Sequence, residues 1–351
     1  MSTVDIRKQA VLKIITEAIE LGTADILKKL QKQGIDISQK TLQRDLSSLL
    51  DSNQVSQKGK GKNTVYFLSG RNALFRAIDV AEYFSTDYGQ RNIIPRFNFD
   101  IFQALNTELF TSAEQKELNA LHQQFVKSFS KYSSQTIINK EYQRILIEFS
   151  WKSSQIEGNT YSLLSTERLI NENIPEAGKT KEETQMILNH KDAFNEILQN
   201  REEFVVVSKR NIEHVHRVLT KELSITPNFR SEPVGITASN YRPLDNVHQI
   251  EEAIGKMVDL VNTRESFFEK ALLLLLLLSY IQAFEAGNKR TARMSSNAVL
   301  LAFQSIPMSY RAVDEVEYKK ASLLFYEQNN LTYFKQIFID QYAYAVHNYF
   351  L

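Results

Sequence analysis

Ser279-Tyr280-Ile281-Gln282-Ala283-Phe284-Glu285-Ala286-Gly287-Asn288-Lys289-Arg290-Thr291-Ala292-Arg293 joins an apolar run to a pair of arginines through a Gly-Asn break. A helix that stops at Gly287 and restarts at Asn288 is suited to hold an anion. Glycine lets the backbone turn at positive φ, and the first N–H groups of the next helix have no intrahelical partner. Phosphate suits such a corner. Arg290 and Arg293 fall one turn apart on the outgoing helix, so both guanidinium forks can reach one polyphosphate. A plain glycine-capped corner would need only Gly287-Asn288-Lys289, not the arginine spacing.

The stretch resembles the signature of the Fic (Fic/Doc) family, His-x-Phe-x-(Asp/Glu)-Gly-Asn-(Gly/Lys)-Arg-x-x-Arg. Phe284, Gly287, Asn288, Lys289, Arg290 and Arg293 match it. The resemblance implies a mainly α fold and AMP transfer from ATP to a protein Ser, Thr or Tyr hydroxyl. It also implies that Gly287, Asn288, Lys289, Arg290 and Arg293 bind the nucleotide, with Asn288 and Arg290 in the catalytic set. Two departures fall on the chemistry. Gln282 stands at the family's histidine, the general base, and a neutral amide does not titrate near neutral pH. Ala286 stands at the family's acid and offers no oxygen to Mg²⁺. Glu285 is adjacent but points roughly 100° away on a helix. ATP is therefore expected as donor or ligand, Mg²⁺ is doubtful, no metal ligands are assigned, and transferase activity should be feeble or absent.

The 351 residues suggest about two domains, and 43% hydrophobic content supports a real core. Lys+Arg 42 against Asp+Glu 41 leaves no global charge signal for nucleic acid. With no cysteine, disulfides, thiolate zinc sites and a thiol nucleophile are excluded. Met1 to Ala10 lacks an apolar h-region, so no signal peptide is expected and the location expected is cytoplasmic. The leucine run Ala271 to Leu278 falls well short of the ~20 residues of a membrane span. It reads as a buried core helix, with no membrane partner.

Residues 1–70 read as a separate unit. Ile6, Val11, Ile14, Ile15 and Ile19 form a helical stripe. Ala24 to Gln33 forms a second helix closed by Gly34, and Ser38 caps a third, Gln39 to Leu50. Val55 to Gln57 and Thr64 to Leu68 read as a hairpin around a lysine-rich turn. This order resembles a winged helix-turn-helix, whose third helix enters the major groove while the wing meets phosphate. Gln39, Lys40, Gln43 and Arg44 would read double-stranded DNA, with Lys58, Lys60 and Lys62 on the wing. The segment carries eleven Lys/Arg against seven Asp/Glu, locally basic in a neutral chain.

Residues 71–120 read as a linker and the helices that precede a Fic core, including a helix from Ala73 to Phe84. Residues 121–351 then form the Fic-like domain. Within it, Ser153-Ser154-Gln155-Ile156-Glu157-Gly158-Asn159 ends a helix near 145–158. Ser153, Glu157 and Gly158 match the inhibitory motif of self-inhibited Fic proteins. The resemblance implies that Glu157 pairs with Arg293 and occupies the place of the ATP γ-phosphate, neutralising a cationic pocket.

Thr180 and Glu183 form a capping box opening a helix to Leu198. His214 and His216 cannot share a face and read as surface and core positions. Asn228 to Pro243 is non-helical, with Val234 and Ile236 alternating with small residues, and reads as a short β-hairpin. It resembles the Fic flap, which implies that Val234, Gly235, Ile236 and Thr237 dock an extended segment of a hydroxyl-bearing target protein. Asp245 is expected to cap the next helix. The closing helices are rich in Tyr and Phe, which read as core or interface and leave room for a homodimer.

Three functions follow as expectations. The first is a self-inhibited, weak or inactive adenylyltransferase. The second is a DNA-binding transcriptional regulator whose Fic-like domain senses a nucleotide or protein. The third is a related phosphotransfer with another donor, or de-AMPylation.

Overall fold

A computed structural model describes residues 3–351, without the side chains of Thr3, Lys62 and Arg71. The expected phosphate contact of Lys62 thus lies outside the described residues. The chain divides into two compact units. The first runs through Thr107 and takes in Ile236–Tyr241 and Leu323–Thr332, and the remainder forms the second.

The first unit opens with α1 (Thr3–Thr16), β1 (Leu21–Gly22), α2 (Thr23–Lys32), α3 (Gln39–Asp51), β2 (Val55–Lys58) and β3 (Val65–Leu68). The sheet order is β1-β3-β2, antiparallel, with Val55 opposite Leu68 and Leu21 opposite Tyr66. Two-residue β1 has no alternation to read, and the sequence gives no sign of it. Ser38 Oγ accepts the Thr41 N–H at 3.2 Å, which fixes the start of α3. Leu42, Leu46 and Leu49 then turn onto Val11, Ile14, Ile26 and Leu30. Each such buried side chain stabilises the unit by about 1.5–3 kcal/mol. On the same helix Asp45 is buried and takes the Arg7 guanidinium at 2.5 and 2.9 Å. Between β2 and β3 the chain turns at Gly59, φ +87, where a Cβ would come 2.3 Å from Asn63 O.

The helix expected over Ala73–Phe84 is broken into α4 (Gly70–Phe75) and α5 (Val80–Ser85). Arg76 is extended between them, and its guanidinium donates to Thr16 O at 2.6 Å and to Gln328 Oε1. Asp79 then caps α5. After α6 (Ile101–Ala104), this unit is held from within by the Glu327 carboxylate. It accepts the hydroxyls of Tyr83 at 2.7 Å and Ser239 at 2.5 Å, with Arg91 Nη1 at 3.2 Å.

The second unit holds α7 (Ser112–Phe129), α8 (Gln135–Ile156), α9 (Leu163–Glu172), α10 (Lys181–Gln199), α11 (Lys209–Leu219), α12 (Val247–Asn262), α13 (Phe267–Ile281) and α14 (Asn288–Ala302). The chain closes with α15 (Glu315–Gln328), whose residues from Leu323 on belong to the first unit, and α16 (Thr332–Asn348), in the second from Tyr333 on. Thr180 and Glu183 form the expected capping box of α10. The cap of α12 is Asn246 rather than Asp245, its Oδ1 accepting the N–H groups of His248 and Gln249. Because α13 is apolar all round it is the central helix, with Ala271–Leu278 at most 2% exposed. Among the described residues no helix is long and apolar enough to cross a membrane.

The hairpin expected over Asn228–Pro243 does not form, and no strand is found there. Pro233 and Pro243 lack the N–H a ladder needs. The start of the segment is also committed elsewhere. Arg230 N donates to Ala283 O at 3.0 Å, and its buried side chain serves Gln282 O and Glu232 O, both at 2.7 Å, and Leu244 O. Ala238 turns the chain at φ 60. Val234 and Ile236 are half-buried; Gly235 and Thr237 are exposed.

Candidate functional site: the α13–α14 corner

The corner begins where α13 ends. Gln282 sits in the left-handed region at φ 53, a conformation costly for a residue with a Cβ. It is held there by Arg230 on its carbonyl and by its own side chain. Nε2 donates to Ser279 O at 2.5 Å, and Oε1 accepts Asn288 Nδ2 at 3.1 Å. Asn288 completes the staple, accepting Phe284 N at 2.9 Å and donating to Phe284 O at 2.7 Å. Gly287 starts α14 at φ +77, where a Cβ would crowd Thr220 Cγ2 at 3.2 Å and Arg290 Nη2 at 3.3 Å. Beneath the loop Phe284 stacks on His216, ring centroids 3.6 Å apart. His216 Nδ1 lies 3.2 Å from Thr291 Oγ1, and that hydroxyl donates to Gly287 O at 3.0 Å. Burial lowers the His216 pKa to about 4.

Arg293 is fully buried. Its Nε donates to Ser153 Oγ, and its Nη2 to Ser153 O and to Glu157 Oε1, all at 2.9 Å. Among the described residues Nη1 meets no acceptor in hydrogen-bonding geometry, and the guanidinium lies over the Tyr318 ring, 5.4 Å from its centroid. Burial works against both charges, but the pair outweighs it: the Arg293 pKa is raised and that of Glu157 is lowered. Lys289 and Arg290 add to the field on Glu157. Arg290 is 5% exposed, and among the described residues its hydrogen bonding is one long contact, 3.4 Å, from Nη1 to Leu219 O. Burial first, and then Arg293 beside it, lowers its pKa.

One residue of this site was missed in the sequence. His190 Nδ1 lies 2.8 Å from Met186 O, a pure acceptor, so Nδ1 carries the proton. Nε2 then accepts the Ser153 hydroxyl at 3.0 Å. Ser153 thereby accepts from Arg293 and donates to His190, which fixes both. Burial, then Arg290, lowers the His190 pKa to about 3, so the ring stays neutral. The only signal was its place on α10, two turns beyond Glu183.

The structure thus brings Ser153, Glu157, Gln282, Gly287, Asn288, Arg290 and Arg293 together. At the family's acid position Ala286 ends in a bare methyl, and the adjacent Glu285 Oε2 accepts the Thr226 N–H at 3.3 Å. Among the described residues no three His, Asp or Glu side chains converge. A cleft of about 510 Å³ between α10 and α11 is lined by Glu196, Asn200, Arg210 and His214, and by none of the corner residues. In the first unit Gln39, Lys40, Gln43 and Arg44 are all exposed on α3. Lys58 and Lys60 are exposed on the β2–β3 turn, where Lys58 pairs with Glu20.

The Fic/DOC family model matches residues 206–300. The chain is similar to Fic-1 from C. elegans, at 18% identity over 70% of this chain and 79% of that one, TM-score 0.58. A Fic domain containing signaling protein from Bacteroides thetaiotaomicron covers 66% of this chain and 92% of its own, with 18% identity and TM-score 0.52. A Fic family protein from Desulfovibrio desulfuricans G20 gives 17% identity, 68% and 74% coverage, and TM-score 0.53. A search of curated proteins gave no significant match. The fold is therefore of the Fic/DOC type.

Proposed function

We propose that this protein binds the polyphosphate of ATP or ADP at the α13–α14 corner under the restraint of Glu157, with AMP transfer weak or lost. The observation that carries this reading is the 2.9 Å contact of Glu157 with a buried Arg293 whose Nη1 meets no acceptor in hydrogen-bonding geometry among the described residues. A phosphate displacing the carboxylate would keep the charge compensated and use the idle donor. Arg290, held by one long contact among the described residues, would be the second fork, and the N–H groups opening α14 would add dipolar stabilisation.

Transfer itself would form a bond from a target hydroxyl oxygen to the α-phosphorus and break the bond to the leaving pyrophosphate. The hydroxyl proton needs an acceptor. Gln282 is not one, since its Oε1 already accepts from Asn288 and its Nε2 is bound to Ser279 O. The residues present do not fit Mg²⁺, so no step is assigned to it. Losing the base alone typically costs 10²–10⁴-fold. The segment Val234–Thr237 remains the candidate for docking a protein target, as extended chain rather than as a hairpin.

The first unit favours a second role beside the first, that of a DNA-binding regulator. Three helices, the β1-β3-β2 sheet and an exposed Gln39-Lys40-Gln43-Arg44 face are what a winged helix-turn-helix over residues 1–70 would present to a major groove. In that reading the Fic-like part serves as a nucleotide sensor. Calorimetry with ATP and ADP on the wild type and on Glu157→Gly, with and without Mg²⁺, tests the central claim. Tighter, Mg²⁺-independent binding by Glu157→Gly is expected, and no binding by either protein would overturn it.

A further inference from the structure

We infer that Glu183 of α10 is the positioning residue that holds Glu157 against Arg293, through a strap on Asn159 and Thr160. This rests on the reading of Glu157 as the restraint on the corner. Glu157 is the last residue before the chain reverses: Gly158 lies at φ +97, Gly158 N donates to Gln155 O, and Asn159 N to Ser154 O. A helix end of this kind frays unless something outside the helix holds it.

Here the outside hold is dense. Glu183 Oε1 accepts Thr160 N at 2.9 Å and Thr160 Oγ1 at 2.5 Å, while Glu183 O accepts Asn159 Nδ2 at 2.8 Å. The other carboxylate oxygen accepts Thr180 N at 3.1 Å, closing the capping box of α10. Lys179 Nζ adds bonds of 2.8 and 2.9 Å to Thr160 O and Oγ1. These converging donors lower the Glu183 pKa to about 2. Two turns along the same face of α10, His190 holds Ser153. The helix therefore holds the chain on both sides of Glu157, at Ser153 on α8 before it and at Thr160 in the turn after it. A capping box needs the Thr180 contacts alone; the bonds to Asn159 and Thr160 are additional, and they lie two and three residues from the carboxylate that meets Arg293.

The test uses the full chain with ATP as probe, whose γ-phosphate contends with Glu157 for Arg293. Asn159→Ala with Thr160→Val removes the side-chain bonds of the strap, leaving the residue-160 N–H on Glu183 and the Thr180–Glu183 cap in place. It is expected to tighten ATP binding by about tenfold and to speed amide exchange at Glu157 and Gly158. Asn159 with Thr160→Ser, which restores a hydroxyl, should return both readouts to wild type. In a Glu157→Gly background the strap variant should give no further gain, because the group it positions is gone. Equal gain in both backgrounds, or unchanged exchange and affinity in a folded strap variant, would overturn the inference. Should Glu157→Gly itself leave ATP affinity unchanged, the reading of the pocket fails, while faster exchange at residue 157 in the strap variant would still establish the strap.

Discussion

Glu157 Oε1 meets Arg293 Nη2 at 2.9 Å across a boundary: the arginine side chain is 0% exposed and the glutamate 23%. The buried cation therefore depends on a partner that water already touches. Removing that partner leaves a desolvated guanidinium, so Glu157→Gly should destabilise the free protein by about 2 kcal/mol, below the full cost of breaking a wholly buried pair. Saturating ATP should recover more stability in the variant than in the wild type. Urea unfolding of both proteins with and without ATP checks this; equal stability of the free forms would count against the pairing.

Acid sensitivity follows from His190 and His216. Their pKa values are lowered to about 3 and about 4, so each remains neutral in the folded chain while the unfolded chain takes up protons below about 6.5. Stability is full above that pH and should fall toward pH 4 by up to about 1.4 kcal/mol per unit for each ring. Glu157, held below the usual carboxylate range, loses its contribution only at still lower pH. Unfolding midpoints between pH 7 and 5 should therefore flatten in His190→Gln.

Chemistry at the corner is testable by restoration. Gln282→His with Ala286→Asp, in a Glu157→Gly background, replaces the base and the acidic oxygen and removes the restraint together. Label transfer from ATP to protein should rise by about 10²–10⁴-fold over Glu157→Gly alone. Silence would mean that the corner is not shaped for AMP transfer, even if it binds nucleotide.

The corner was legible because its chemistry is local. Gly287, Asn288, Arg290 and Arg293 fall within seven residues, and helical spacing alone brings the arginines together. Ser38 and Thr180 were legible for the same reason, since a cap acts within three residues. What escaped depends on distant partners. His190 gains its meaning from Ser153 on another helix, and Arg230 from carbonyls of Gln282 and Leu244. The Arg230 clamp is also why the alternation of Val234 and Ile236 misled: period-two spacing permits a strand, but it cannot register that the backbone beside it is already engaged. Likewise Arg76 interrupts a stretch of good helix formers because Thr16 O and Gln328 capture its side chain.

Binding to duplex DNA should weaken steeply with salt, as phosphate contacts release counterions. The two described wing lysines should not contribute alike. Lys58 already pairs with Glu20, whereas Lys60 has no ion pair among the described residues. Lys60→Ala should lower the salt slope by about one, and Lys58→Ala by less. Arg44→Ala should reduce preference among sequences more than it reduces non-specific affinity. Anisotropy titrations at several salt concentrations separate these effects; binding that ignores salt would argue for a docking module instead.

Glu327 is fully buried and serves Tyr83, Ser239 and Arg91 at once, and Arg91 Nη2 also donates to Ala238 O at 2.5 Å. Segment Ile236–Tyr241 is thus tied into the first unit by one carboxylate and one guanidinium. Cutting one member strands the other in a low-dielectric site, so Glu327→Leu should cost about 3–5 kcal/mol. Adding Arg91→Met removes the stranded charge and should regain much of that loss, giving a coupling of at least about 2 kcal/mol in a double-mutant cycle. Ser239→Ala leaves the ion pair in place, so its stability loss should be near 1 kcal/mol, with amide exchange rising at Ser239 and Tyr241. Additive effects of Glu327→Leu and Arg91→Met would show that the carboxylate acts through its hydroxyl partners instead of through the cation.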